Sequence, residues 1–359
     1  MKKKIAVLAG DGIGPEIMAA TIKILDVVAQ KFGHQFEYKE ALIGGAAYDV
    51  FGEHLPQKTL ETASECDAVL FGSVGGPVNA QSEPKWKGAE KIALLGIRKH
   101  FNFNINVRPT TVWRHLANVS VLKPEVIDQG FSMVIIRELS EGIYFGEHKT
   151  FERDGEKVAQ DVMEYREGTI EKVVEFAFKT AMLSQKRLCS VDKANVLDCS
   201  ILWREVVERI AKKYPEVQVE HMYVDNAAMQ LVKNPRHFDV IVTENTFGDI
   251  LSDLSSVLPG SLGLLGSASF NDDGFGLYEP SGGSAPDIAG LGIASPIGML
   301  LSAAMMLKYS FGMLDEAICI EEAVKKATTT HRTGDIFEDG CVKANTAEFV
   351  DECIRNLTK

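Results

Sequence analysis

The stretch Ile5-Ala-Val-Leu-Ala-Gly-Asp-Gly-Ile-Gly-Pro-Glu16 compresses a strand, a turn and the start of a helix into one segment. Ile5–Ala9 is a short apolar run of the kind that fills a buried strand. Gly10-Asp-Gly-Ile-Gly14 has the glycine density of a tight turn. Pro15 suits the first helical turn, where a missing N–H costs nothing, and Glu16 faces the positive end of the helix dipole there. The helix is expected to run to about Phe32. A strand, a glycine turn and a helix invite a dinucleotide-binding reading. Here the spacing is G-x-G-x-G rather than G-x-G-x-x-G, and proline occupies the helix start. The acids Glu37 and Glu40 also lie beyond the usual offset of about 20 residues. The segment therefore predicts a tight turn lining a cleft, not a Rossmann fingerprint.

Outward from this segment the pattern alternates. Asp67–Gly72, Ser132–Glu138, Leu188–Val191, Val217–Val224 and Phe238–Thr243 are further short strand candidates. Helical periodicity lies between several of them, at Thr169–Leu183, Ile201–Lys213 and Phe247–Val257. Strands alternating with helices predict an α/β protein with a partly parallel sheet. Residues 142–165 break the rhythm: the segment is polar, with Asp154-Gly155 between two extended arms, and predicts a protruding hairpin. The 359 residues have room for about two domains, and no Ser/Pro-rich linker or repeat marks a border. The chain is expected to cross between domains more than once.

Composition removes whole classes of function. A net charge of -12 argues against nucleic acid or an anionic membrane as the main partner. The basic N-terminus precedes an apolar run too short for a signal peptide, interrupted at Asp11. The apolar stretch Ile293–Leu307 is broken by Ser295, Pro296, Gly298 and Ser302 and predicts a buried helix rather than a membrane span. The six cysteines show no C-x-x-C pair or zinc spacing, so they read as reduced, mostly buried thiols of a cytoplasmic protein.

The chemistry concentrates in a few polar residues. Asp249 and Asp253 stand at i and i+4 on a predicted helix, so both carboxylates share a face and repel unless a cation lies between them. Asp225, which the pattern places at the end of a strand-like run, is a third acid. Such a set suits a hard divalent ion with room for a chelating substrate; the plainer alternative is a solvated helix face. Arg98, Arg108 and Arg137 are candidates for bidentate grips on carboxylates, Arg137 most clearly because it closes an apolar strand. Tyr144 and Lys193 complete the candidates for proton transfer.

Taken together, GDGIGPE, LLGIRK with NVRP, RELSEGIYFGE, SVDKANVL, YVDNAAMQLV, TENTFGDILSD, LPGSLGLLGSA and EPSGGSAPDIAGLGIASP resemble the β-decarboxylating dehydrogenase family, on its isopropylmalate rather than its isocitrate side. The resemblance runs over essentially the whole chain. It implies a two-domain isocitrate/isopropylmalate dehydrogenase-like fold with a mixed sheet, residues 1–103 and 260–359 forming one domain and 104–259 the other, around an active-site cleft. It implies NAD-dependent oxidative decarboxylation of (2R,3S)-3-isopropylmalate to 4-methyl-2-oxopentanoate and CO2, in leucine biosynthesis. By that similarity Arg98, Arg108 and Arg137 hold the substrate carboxylates, and Asp225, Asp249 and Asp253 bind Mg²⁺ or Mn²⁺. Lys193, assisted by Asp225, takes the hydroxyl proton and Tyr144 protonates the enolate. A homodimer with shared active sites is implied, with Lys193 and Asp225 reaching into the partner's site and the hairpin clasping the partner.

Neighbouring cations such as Arg137 and the metal are expected to lower the proton affinity of Tyr144 and Lys193. Glu90, Leu94 and Leu95 match the segment that meets the isopropyl group, with simple core packing as the alternative for the leucines. The cofactor is expected on Gly76, Glu90, Gly283, Ser284, Ala285, Pro286, Asp287, Ile288 and Ser295, with Asp287 on the adenosine ribose and therefore favouring NAD over NADP. Gly282 and Ser295 depart from the family's commoner histidine and asparagine. Sibling specificities, D-malate or tartrate among them, and a metal-dependent lyase remain as alternatives.

Overall fold

The computed structural model describes residues Met1–Thr358. The chain forms two compact units, Met1–Phe103 together with the chain from Gly260 onward, and Asn104–Pro259. The first unit opens with β1 (Lys2–Gly10), α1 (Gly14–Phe32), β2 (Gln35–Glu40), α2 (Gly45–Phe51), α3 (Gln57–Ser64), β3 (Ala68–Ser73) and α4 (Gly96–His100). The second holds β4 (Ile105–Val112), α5 (Pro124–Ile127), β5 (Phe131–Glu138), β6 (His148–Arg153), β7 (Glu156–Asp161), α6 (Glu167–Met182), β8 (Arg187–Asp192), α7 (Asp198–Ala211), β9 (Gln218–Tyr223), α8 (Val224–Lys233), β10 (Val240–Thr243) and α9 (Asn245–Val257). The chain then returns to the first unit with β11 (Gly266–Phe270), β12 (Gly276–Pro280), α10 (Ile297–Tyr309), α11 (Leu314–Ala327) and α12 (Thr346–Thr358).

In the first unit β1 lies between β2 and β3, parallel to both, and β3 continues parallel to β12, which pairs antiparallel with β11. β3 is buried at every position, as expected of a near-continuous apolar strand covered on both faces. Ile17, Thr21, Ile24 and Val28 recur at helical spacing on the buried side of α1, which ends at Gly33 in a left-handed cap. α10 is buried nearly all round, which explains the most apolar stretch of the sequence, and no helix among the described residues is long and apolar enough to cross a membrane.

The glycine turn is spent on packing. Gly12 has φ +59, and a side chain there would collide with the Ser284 carbonyl. The next amide, Ile13 N–H, donates to that carbonyl at 2.8 Å. The buried Asp11 carboxylate accepts from the amides of Gly45, Ala46 and Gly75 at 2.8, 2.8 and 3.1 Å. The turn is thereby tied to the residue-284 loop through Ile13 and to the segments at Gly45 and Gly75 through Asp11.

In the second unit β4 is antiparallel to β5, and β5, β10, β8 and β9 follow in parallel. The chain beyond the carboxyl ends of these parallel strands is the usual ligand side of an open α/β sheet. Arg137 near the end of β5, Lys193 after β8, Asp225 after β9 and Asp249 after β10 all occur there. β6 and β7 form the hairpin, with Asp154 and Gly155 both at positive φ (53° and 80°) in the tight turn. Two expectations need correcting. Asp225 does not end a strand: β9 stops at Tyr223, and Asp225 sits in the first turn of α8, where its carboxylate suits the helix dipole. Among the cysteines, all free, only Cys189 and Cys353 are fully buried.

Candidate active site

Arg137, Tyr144 and Asp249 meet in the second unit. Arg137 is buried because it ends an apolar strand, and Gly248 lets its stem cross α9: a Cβ at Gly248 would lie 2.6 Å from Arg137 Cγ. Arg137 Nη1 donates to Asp249 Oδ1, and the Tyr144 hydroxyl donates to Asp249 Oδ2 at 3.1 Å. Asp253 follows one turn on. Burial first, and then the charge of Asp249, push its carboxyl above the ordinary range, against the pull of Arg108 and Arg137. Arg108 is half-buried on β4, with Nε donating to Asn106 Oδ1 at 3.1 Å. This unit therefore gathers two of the expected arginines, the tyrosine and two of the acids.

Of the cations expected to act on Tyr144, Arg137 is in place and pulls its proton affinity down, but the rest of the surrounding chain opposes it. The Tyr144 hydroxyl is pushed up, first by burial and then by the Asp249 charge it donates to, while Arg137 opposes the rise. The carboxylate outweighs the guanidinium because it lies in direct hydrogen-bond contact with the phenol.

Lys193 and Asp225 form a separate pair. Lys193 Nζ donates to Asp225 Oδ1 at 2.7 Å, which holds the Asp225 carboxyl below its usual range. The lysine backbone is anchored by its N–H to Ser200 Oγ at 3.0 Å, and the preceding Asp192 is clamped by Arg204. Asp225 does not join Asp249 and Asp253: among the described residues no three His, Cys, Asp or Glu side chains gather as a metal site. Asp249 and Asp253 nonetheless fit half of a hard-ion site. They offer only oxygen donors, and the repulsion that raises Asp253 is what a divalent cation relieves.

In the first unit Arg98 is buried on α4, with Nη2 donating to the buried Glu279 at 2.8 Å. Its Nε is buried with no hydrogen-bond partner among the described residues, a cost of about 1–3 kcal/mol that a bound carboxylate would remove. Leu94 and Leu95 end a π-helical turn, Lys91–Leu95, just before α4. Core packing does not explain Leu95, which is 38% exposed. Glu90 and the Ser284 side chain both lie beside Gly75, and Gly76 packs against the Trp86 indole.

A cavity of about 700 Å³ in the first unit is lined by the expected cofactor residues Gly283, Ile288 and Ser295. Gly76, Glu90, Ser284, Ala285, Pro286 and the exposed Asp287 are not on its wall. Its size and its mix of apolar and polar lining fit an extended nucleotide. The loop is held in an uncommon backbone state, with Ala285 at φ +39. Sequence reasoning missed several wall residues. Ile17 lies on the buried side of α1 and reads as core, while Asp335 and Asn345 stand in segments with no motif; Ile13 belongs to the turn expected to line a cleft. Ser295 Oγ donates to the Gly263 carbonyl at 3.5 Å.

The family model for isocitrate/isopropylmalate dehydrogenase matches residues 4–353. A 3-isopropylmalate dehydrogenase of Mannheimia succiniciproducens is 52% identical over 347 residues, covering 96% of this chain and 96% of that one. Another from Aquifex aeolicus is 51% identical over 362 aligned residues, covering 100% of this chain and 98% of that one. Among solved structures, an isocitrate dehydrogenase from Methylococcus capsulatus superposes with a TM-score of 0.85 and 33% identity, covering 99% of this chain and 100% of that one. A β-decarboxylating dehydrogenase from Thermococcus kodakarensis in its apo form gives a TM-score of 0.80 at 33% identity, covering 99% and 96%.

Proposed function

The chain belongs to the isocitrate/isopropylmalate dehydrogenase family, a family of oxidoreductases, and from that premise we propose that it oxidatively decarboxylates (2R,3S)-3-isopropylmalate to 4-methyl-2-oxopentanoate with NAD⁺, as a step of leucine biosynthesis. The observation that supports the reading is the contact of Arg137 and Tyr144 with Asp249, side chains whose chemistry suits a carboxylate anchor, a proton donor and a metal ligand. Membership of a dehydrogenase family sets the lyase alternative aside.

Arg98, Arg108 and Arg137 hold the two substrate carboxylates. Lys193, with Asp225 as its hydrogen-bond partner, accepts the hydroxyl proton, and Tyr144 returns a proton to the enolate carbon once CO2 has left. Bound at Asp249 and Asp253, with Asp225 as the third ligand, Mg²⁺ or Mn²⁺ would supply Lewis-acid stabilisation of the enolate, and NAD⁺ would take the hydride. Leu94 and Leu95 meet the isopropyl group, and burying it contributes about 1.5–3 kcal/mol. A carboxylate in its place would lack a partner there. Asp287 accepts from the adenosine ribose, and its charge opposes a 2′-phosphate.

The separation of Asp225 from the other two acids supports a homodimer in which a second copy supplies Lys193 and Asp225. So do the exposed apolar side chains of α8 and α9, Met229 at 60% and Ile250 at 58%, which a second copy would cover. Dilution to monomer should then abolish activity, and a fully active monomer in sedimentation and assay would overturn the shared site.

The test of the reaction is NADH absorbance with Mg²⁺ and NAD⁺ across 3-isopropylmalate, D-malate, tartrate and isocitrate. A clear preference for isopropylmalate is expected. Preference for another of the four would keep the machinery and replace the substrate, and silence on all four would sink the proposal.

A further inference from the structure

Asn245, the first residue of α9, is fully buried and touches each of the elements that build the Arg137 cluster. Its Oδ1 accepts two hydrogen bonds from one guanidinium, Arg137 Nε at 3.0 Å and Nη2 at 2.6 Å. Its Nδ2 donates to the Glu141 carbonyl at 2.9 Å, in the loop that carries Tyr144. Its backbone N–H donates to the Tyr165 hydroxyl at 2.9 Å, which in turn donates to Glu244 Oε2 at 2.7 Å. Glu244 closes the circuit by capping α9, accepting from Thr246 N–H at 2.9 Å and Phe247 N–H at 2.7 Å.

Two donors of a planar fork fixed on one acceptor define the plane of the guanidinium and the direction of its remaining edge, here toward Asp249. A neutral amide does this without adding a second carboxylate to the one that Asp249 already presents. The other end of the same amide ties the Glu141 loop to the same point, so Tyr144 and Arg137 share a reference.

We propose that Asn245 is a positioning residue: it fixes the orientation in which the Arg137 guanidinium meets Asp249 and a substrate carboxylate, and it holds the Tyr144 loop in register with it. This rests on the carboxylate-anchoring role proposed above for Arg137.

The experiment is a double-mutant cycle on the full-length protein, with KM and kcat for 3-isopropylmalate measured in wild type, Asn245→Ala, Arg137→Ala and the double variant. Asn245→Ala should raise KM about tenfold or more, the scale of losing hydrogen bonds to a charged group, with a smaller fall in kcat. In the Arg137→Ala background the same change should move KM less than about twofold, because its target is gone. Equal KM effects in both backgrounds would mark Asn245 as merely structural and overturn the proposal. Should Asn245→Ala fail to fold, Asn245→Asp keeps an acceptor but adds a second carboxylate beside Arg137, and an unchanged KM in that variant would refute the argument. A wild type inactive on every substrate would refute the proposed reaction instead. Asn245 would then be read by NMR, from a slowly exchanging arginine Nε–H signal assigned by its loss in Arg137→Ala. That signal should collapse in Asn245→Ala, and its persistence there would overturn the orienting role.

Discussion

The Arg137–Asp249 and Lys193–Asp225 pairs use the same charges in the same unit, yet they are built differently. Arg137 is almost wholly buried, and its plane is set by Asn245 before it meets Asp249. Lys193 meets an Asp225 that is 62% exposed, on a helix whose outer face carries bare methionine and valine. One pair is enclosed by its own chain, while the other lies open, its lysine anchored through the backbone N–H and lying 5.8 Å from the Tyr223 ring centre. A buried charge cannot be left to find its geometry, because desolvation penalises every wrong arrangement. An exposed pair costs little to leave open, which suits the second copy proposed above to complete it.

The sharpest way to break this contrast is Lys193→Met. If the open pair carries the proton transfer, kcat should fall by about 10²–10⁴ with KM little changed. A change confined to KM would make Lys193 a binding group and remove the distinction. Asp249→Asn strikes the closed cluster and should raise the half-saturating Mg²⁺ or Mn²⁺ concentration by at least about tenfold, read from metal titrations of activity. An unmoved metal requirement would leave Asp249 as a partner of Arg137 and Tyr144 alone. The smallest effect concerns Glu138, fully buried beside Arg137, whose carboxyl burial pushes above its ordinary 4.5. Because its folded value is raised, its contribution to stability is complete below the ordinary value and is lost as pH rises through the folded one. Glu138→Gln should therefore gain melting temperature relative to wild type as the pH is raised from below 4.5 to neutrality. A constant difference across that range would show that the buried scaffold behind Arg137 is not electrostatically strained.

Where one residue type dominates a segment, the sequence was easy to read. The glycine turn at Gly10–Gly14, the Asp154-Gly155 hairpin and the i, i+4 acids of α9 each follow from local rules, and each is present. What escaped depends on distant partners. β4 contains Pro109, which cannot donate to a ladder and argues against a strand, yet it pairs in register with Val134. β11 is made of Gly266-Ser-Ala-Ser-Phe270, too small and polar to announce itself, and β2 is a half-buried run of charged and aromatic residues. Asp225 was misplaced because β9 passes into α8 without a turn residue between Tyr223 and Val224. Asn245 lies inside the recognised block TENTFGDILSD, but an asparagine at a helix start reads as a cap. Its grip on a guanidinium 108 residues away has no local signal.

The division of the first unit between the two ends of the chain has a consequence for its birth on the ribosome. β3 pairs Val69 with Leu277 of β12, so that edge of β3 has no strand beside it until the chain has grown by some two hundred residues. The second unit, Asn104–Pro259, is complete in sequence before any of that returning segment exists and can fold as a unit during synthesis. Meanwhile β1, β2 and β3 form a nascent half-sheet with an apolar edge open to other chains. Crowded expression should therefore trouble the amino-terminal segment first, and slower elongation would lengthen its exposure.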